Sequence, residues 1–347
     1  MKNVLAPVDT KLLKKELTKN RFLRPTNKAH NEIYVVDAHN APNVMLEIGR
    51  LRELSFRAWG GGSGNEIDTD EYDFLPKPYQ QLIVWNPDNE EIVGGYRFIS
   101  GKDVEFENNG QPHLTMGHLF NFSETFIADF LPQTIELGRA FVQPKYQSSQ
   151  MGMKSLFALD NLWDGLGALI HLNSDVKYFI GKVTIYNNYS LQSRELIFSY
   201  LRRYCPDPDR LIYTKKQIKI SEETQKKAKT LFYKKNSQEA YKVLQRAIRA
   251  NNHTIPPLIN AYIGLTETMR SFGTMYDPDF GFVFETGIMI TIPDLFESKR
   301  QRYIEPYINY LHIILEEKKQ KIITRRARQN ETFKRFERVK NAQNKNL

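Results

Sequence analysis

One short run constrains this chain more than any other: Thr134-Ile-Glu136-Leu-Gly-Arg139-Ala-Phe-Val142-Gln143-Pro144. Ile135, Leu137 and Val142 are the apolar residues of a buried strand, yet Glu136 and Arg139 stand among them and Pro144 closes the run. A charge on a buried strand is costly unless it is paired. The run by itself leaves two readings open, a structural ion pair or part of a site.

The surrounding sequence spells a single mixed α/β sheet rather than separate domains. β-Branched and aromatic residues mark strands over 32–37, 81–85, 92–99, 178–185 and 282–292. Apolar residues at helical spacing mark helices over 41–56, with Asn43 as the N-cap, and over 154–172. A further helix runs from Ser190 to a stop before Pro206, and Pro256-Pro257 suits another helix start. Three consecutive glycines in Gly60-Gly-Gly-Ser-Gly64 will not hold a helix, so a mobile or ligand-hugging loop is expected there. Residues 221–251 read as helical, basic and on the surface. The expected organisation is an N-terminal arm over 1–30 and one body over 31–297. That body carries a helical insertion at about 206–253, and a basic helical tail follows over 298–347.

Charge is unevenly placed. The whole chain carries +9, and residues 318–347 hold eleven Lys or Arg against two Glu, so the rest is neutral. A solvated helix suits that tail, and so does docking to anionic lipid headgroups or to an acidic carrier protein. Nucleic acid is disfavoured, because the tail lacks interleaved aromatics and the body lacks a nucleic-acid motif. No stretch reaches the ~18 apolar residues of a membrane span, and the N-terminus lacks the apolar core of a secretory signal. Cys205 is the only cysteine, which excludes a disulfide framework and a thiolate metal cluster. A cytoplasmic address is expected, at most peripheral at the inner membrane.

Taken in order, the unusual residues are Arg52-x-x-x-Phe56 with Trp59, Asp70-x-x-Asp73, Gly95-Tyr-Arg97 and Glu136-Leu-Gly-Arg139-x-x-Val142. Pro256-Pro257 with Tyr262 and Asp277-Pro278-Asp279-Phe280 follow. Each has a plainer explanation alone. Asp70 and Asp73 suit a helix cap, Arg97 an ion-pair partner, Trp59 and the phenylalanines at 120–130 a core. His113 and His118 suit a surface, and Cys205 has no histidine at motif spacing. The ordered set, over roughly 32–292, resembles the bacterial N-acyltransferases that make glycine and ornithine lipids. These are Gcn5-related N-acetyltransferase (GNAT) superfamily members, akin to acyl-homoserine-lactone and N-acyl amino acid synthases.

That resemblance implies a GNAT-like mixed central sheet flanked by helices, and a thioester donor opened by an amine. It puts Glu136, Arg139, Asp70, Asp73 and Arg97 in the catalytic set, with the acids as base or ammonium holders and the arginines gripping those acids or the acceptor carboxylate. Glu136 is either the base or the residue that holds an arginine. Oxyanion donors are expected on backbone amides of a splayed strand after Glu136. Arg52, Phe56, Trp59, Phe141 and Val142 are expected on the substrate. The pyrophosphate loop of coenzyme A enzymes, Gln/Arg-x-x-Gly-x-Gly/Ala, is degraded here to Gln147-Ser-Ser-Gln-Met-Gly152-Met-Lys154. An acyl carrier protein (acyl-ACP) is therefore the expected donor and partner, met by Lys145, Gly152 and Lys154. The acceptor is an amino acid, glycine or ornithine before others, and no metal or bound cofactor is expected. The rival functions are an acyl-homoserine-lactone-type signal synthase and a non-catalytic acyl- or lipid-binding protein on the same fold.

Overall fold

The computed structural model describes residues 1–147 and 153–343. Its first half runs α1 (Thr10–Glu16), β1 (Phe22–Pro25), β2 (Glu32–Val36), α2 (Pro42–Arg57), β3 (Gln80–Asn86), β4 (Glu91–Ser100), β5 (Phe120–Phe122) and β6 (Thr134–Val142). The second half runs α3 (Met153–Leu172), β7 (Tyr178–Ile185), α4 (Leu191–Tyr204), β8 (Ile212–Thr214), α5 (Glu222–Leu231), α6 (Ser237–Ala250) and α7 (Pro257–Ile263). It ends with β9 (Arg270–Asp277), β10 (Val283–Thr291), α8 (Glu297–Tyr303) and α9 (Glu305–Gln343). Eight strands form one sheet in the order β1-β2-β3-β4-β6-β7-β10-β9. Every neighbouring pair is antiparallel except β6 and β7, which α3 joins as a crossover.

One face of the sheet is apolar throughout. Leu82, Leu137, Val183 and Ile290 pack there against Leu162 and Leu166 of α3 and Leu196 and Leu201 of α4. Two separate clusters cover the other face. At one end Ile83, Ile92, Phe141 and Val283 lie under Val44, Ile48 and Leu51 of α2. At the other end Ile99, Ile180 and Met289 lie under Leu114, Met116, Phe122 and Phe126. A band of polar side chains crosses the sheet between these two clusters.

Several local expectations need correction. The helix at 42–57 begins after Ala41, not Asn43, and Glu16 of α1 supplies its cap by accepting from the amides of Asn43 at 3.2 Å and Val44 at 2.9 Å. Residues 22–25 do not hang free as an arm, since β1 pairs with β2 and Leu13 is buried beside α2. The 221–251 stretch is two helices, broken before the capping box of Asn236 and Glu239. Phe232, Ala240, Leu244 and Ile248 bury one side of that pair in the main core. Among the described residues no helix is long and apolar enough to cross a membrane.

Candidate active site

The polar band owes its composition to one irregularity in β6. Arg97 of β4 faces Gly138, and Gly95 faces Phe141, so Arg139 and Ala140 together oppose the single residue Tyr96. This is a β-bulge, and Arg139 takes φ 48° within it. An extra residue reverses side-chain parity along the strand. Ile135 and Leu137 belong to the α3 face before the bulge, and Ala140 and Val142 pack on that same face after it. Arg139 is thereby turned to the opposite face, where Glu136 and Arg97 already lie.

Around Arg139 the acids and arginines form one buried network. Arg52 and Asp73 are wholly buried and pair at 3.3 Å. Arg97 pairs with Asp73 at 3.2 Å and with Asp70 at 2.5 Å. Arg139 reaches Asp70 at 3.4 Å and Asp68 at 2.9 Å, and its guanidinium stacks over Phe280 at 4.6 Å. Gln81 ties Arg52 to Asp73, accepting from the first and donating to the second. Burial pushes the Asp70 carboxyl up, but Arg97 and Arg139 outweigh it and hold the group below the usual range. Asp68, more deeply buried, is pushed up by desolvation despite Arg139. The Arg139 Nε hydrogen is not aimed at the Asp68 oxygen, so both atoms stay buried without a hydrogen bond. Arg139 is also the most open of these arginines, with 21% of its side chain exposed against 2% for Arg97 and none for Arg52.

Glu136 plays a different part. Its carboxylate accepts from the Tyr79 hydroxyl, from the amide and hydroxyl of Thr115 at 3.1 and 3.0 Å, and from the Met116 amide at 2.8 Å. It is 1% exposed and pairs with neither arginine. The Glu136–Arg139 ion pair that the run left open does not form, because the bulge sends Arg139 toward Asp68 while Glu136 pins the turn at 115–116. Saturated in this way, Glu136 is arranged to hold that turn.

The far half of the band was not marked by any motif. Lys182 and Thr184 of β7 and Glu285 of β10 continue it across the sheet, and the Thr184 hydroxyl donates to Glu285 at 2.8 Å. Glu285 is 4% exposed, and its second oxygen has no partner among the described residues. His118 overhangs the end of the band, 3.4 Å from Asp279 and 3.8 Å from Asp277. Asp68 stands two residues before Asp70 in an acidic stretch of sequence; Lys182 and Glu285 are ordinary strand residues there, and only the sheet order brings them here.

Beside the bulge the sheet opens. β6 and β7 pair from Thr134–Tyr178 to Leu137–Gly181 and then part, so the backbone of 139–142 has no partner strand on its β7 side. Gly138, Ala140, Gly181 and Lys182 line the resulting cleft, with Tyr96, Tyr262 and Ile288 on its apolar side. Phe56 is buried edge-on against Phe280, and Phe141 is buried in the α2 cluster. Val142 packs on the opposite face, beside the parted backbone. Trp59 is half exposed, stacked on Tyr186, and its indole donates to Gln147 at 2.6 Å. Lys145 pairs with Glu91 at 2.6 Å. Gly152 and the side chain of Lys154 lie outside the described residues.

Comparison with known proteins now bears on this arrangement. An acetyltransferase (GNAT) domain model matches residues 51–156. A glycine N(alpha)-acyltransferase of Phocaeicola vulgatus is 50% identical over 309 residues, covering 89% of this chain and 94% of the relative. Another of that name, from Bacteroides thetaiotaomicron, is 51% identical over 308 residues, covering 89% of this chain and 91% of the relative. The chain belongs to the glycine N(alpha)-acyltransferase family. Among solved structures, that of FeeM, an N-acyl amino acid synthase from uncultured soil microbes, aligns with TM-score 0.38 and 11% identity, over 78% of this chain and 94% of that one. Membership in the family makes the protein an N-acyltransferase with a mixed α/β GNAT fold.

Proposed function

We propose that this acyltransferase moves a long-chain, 3-hydroxy fatty acyl group from acyl carrier protein to the α-amine of glycine, forming an N-acylglycine that serves as an aminolipid precursor. The observation that carries the reading is the partly exposed Arg139 guanidinium, turned by the bulge into a basin beside the β6–β7 cleft. Glycine has no side chain, so an enzyme that selects it must hold its carboxylate, and a guanidinium fork does this best. The names of the two relatives point to the same acceptor.

In this reading the thioester lies through the cleft, its acyl chain toward Tyr262 and Ile288 and its carbonyl beside the parted backbone of 139–142. Amide donors there stabilise the oxygen as it gains charge. Asp70 and Asp73 fix Arg97, Asp68 and Asp70 orient Arg139, and Arg52 neutralises Asp73 from below. Phe56 and Phe141 form the floor, Phe56 supporting the Phe280 ring under Arg139, while Trp59 and Val142 border the donor's path. The degraded pyrophosphate loop favours a carrier-protein donor, with Lys145, Gly152 and Lys154 toward its phosphopantetheine. The basic tail, with Ile313, Leu315, Ile322 and Ile323 exposed on α9, suits a peripheral seat on an anionic membrane, where an aminolipid precursor would be delivered.

The test is direct. The protein is incubated with 3-hydroxypalmitoyl carrier protein and, separately, glycine, ornithine, serine and S-adenosylmethionine, and products are read by mass spectrometry. N-acylglycine above all other products supports the reading. A product with S-adenosylmethionine alone would replace it with a signal synthase, and tight donor binding without any product would leave a binding protein.

A further inference from the structure

Amide formation requires an ammonium to lose a proton before its nitrogen can attack, so some group near the cleft must take it. The carboxylates marked in the sequence are occupied. Glu136 accepts four hydrogen bonds, and Asp73 is enclosed by Arg52, Arg97 and Gln81. Asp68 and Asp70 each face Arg139, and Asp70 faces Arg97 as well. A carboxylate held by guanidinium groups is a poor proton acceptor, and although burial pushes Asp68 up, Arg139 stands 2.9 Å from the very oxygen that lacks a hydrogen bond.

Glu285 is placed otherwise. It lies one strand beyond Thr184, on the face where β6 has parted from β7, with Arg139 on the other side of the opening. Thr184 holds one oxygen, and the other is buried without a donor among the described residues. Leaving an oxygen buried and unpartnered costs free energy, and a polar ligand that supplied a donor would recover it.

We propose that Glu285 is the general base of the reaction, accepting a proton from the acceptor ammonium while Arg139 holds the acceptor carboxylate. The assignment rests on the acyl-transfer reading above. The ammonium gives one proton to Glu285, the freed nitrogen lone pair forms the C–N bond, and the C–S bond breaks. The departing thiolate takes a second proton from nitrogen and leaves as the thiol of the carrier, and Glu285 returns its proton to solvent. The charged and titratable groups facing Glu285 are Lys182 on β7, Tyr186 just past the end of β7, Asp277 on β9 and Arg139 on β6. Burial raises its carboxyl, with Lys182 opposing, so the group takes a proton more readily than a solvated carboxylate.

The experiment compares wild type, Glu285→Gln and Thr184→Val with 3-hydroxypalmitoyl carrier protein and glycine. The expected result for Glu285→Gln is a loss of roughly 10²–10⁴-fold in turnover with donor affinity and melting temperature retained. The acidic limb of the wild-type pH–rate profile should vanish with it. Thr184→Val, which removes the hydrogen bond to the charged form, should move that limb upward. Near-wild-type turnover in Glu285→Gln, or an unmoved limb in Thr184→Val, overturns the assignment. If Glu285→Gln fails to fold, the limb in Thr184→Val decides alone. A wild-type enzyme silent on every acceptor overturns the functional reading instead, which keeps the two failures distinct.

Discussion

Glu136 and Arg139 lie on the same face of β6 and do not meet: Glu136 hangs on Thr115 and Met116, and Arg139 reaches Asp68 at 2.9 Å. The two charges that stand out in the strand therefore serve different ends. One ties the loop above the sheet to its centre, and the other is presented to whatever enters the basin.

Arg139→Lys separates fork from charge. Lysine keeps the positive end but cannot grip a carboxylate with two parallel bonds. Loss of one charge-assisted hydrogen bond, worth about 1.5–3 kcal/mol, should raise KM for glycine roughly 10- to 100-fold. KM for the acyl donor should stay put. Steady-state kinetics with each substrate varied in turn checks this, and a change confined to the donor would count against the proposed carboxylate contact.

Glu136→Gln should register first as instability. The amide group replaces a charged acceptor of four hydrogen bonds and places a donor where only donors converge. A buried mismatch of this kind costs on the order of 1–3 kcal/mol. Urea unfolding is the measurement. Unchanged stability with abolished turnover would return Glu136 to the list of proton acceptors.

Asp164 supplies a pH signature away from the basin. It is buried at the junction of α3 with the N-terminal strand, where Asn27 donates to it at 2.9 Å, and burial pushes its carboxyl up to about 6. The folded state thus holds its proton more tightly than the unfolded chain, whose aspartates titrate near ~3.9. Stability contributed by the protonated form is complete below that value and is lost as pH rises toward 6. Asp164→Asn should lack this decline, so the variant should gain on wild type as pH rises from about 4 to about 6. Parallel denaturation series at several pH values test it.

A chain ending at residue 317 tests the tail. Each Lys or Arg near an anionic surface contributes about 1 kcal/mol at low salt. The full chain should sediment with phosphatidylglycerol vesicles and come off in high salt, whereas the shortened chain should not bind. Its turnover on soluble carrier-bound donor should be unchanged. Equal sedimentation of both chains would remove the membrane role from α9.

Much of the sheet was legible because β-branched runs at 32–37, 81–85, 92–99 and 178–185 leave little choice of structure. The near half of the basin was legible because charges in such runs are conspicuous. β9 was missed: its Ser, Gly and Thr residues give no apolar alternation, and a bulge with Gly273 at φ 93° interrupts its pairing with β10. Glu285 was missed for a related reason. A single acid within the strand read at 282–292 has no partner in view until the sheet order places it between β7 and β9. Parity reversal at Arg139 was equally hidden, since a bulge depends on a partner strand far away in sequence.

The sheet order also has a consequence for how the protein is made. β10 lies between β7 and β9, although both β7 and the whole 206–253 stretch are synthesised before it. Until residues 283–291 emerge from the ribosome, β7 presents the run Tyr178–Ile185 as an unpaired apolar edge. The growing chain must therefore keep that edge apart from other nascent chains for about a hundred residues of elongation. Fragments that stop short of β10 should be recovered as aggregates, and the strand that brings Glu285 is the one that closes the sheet.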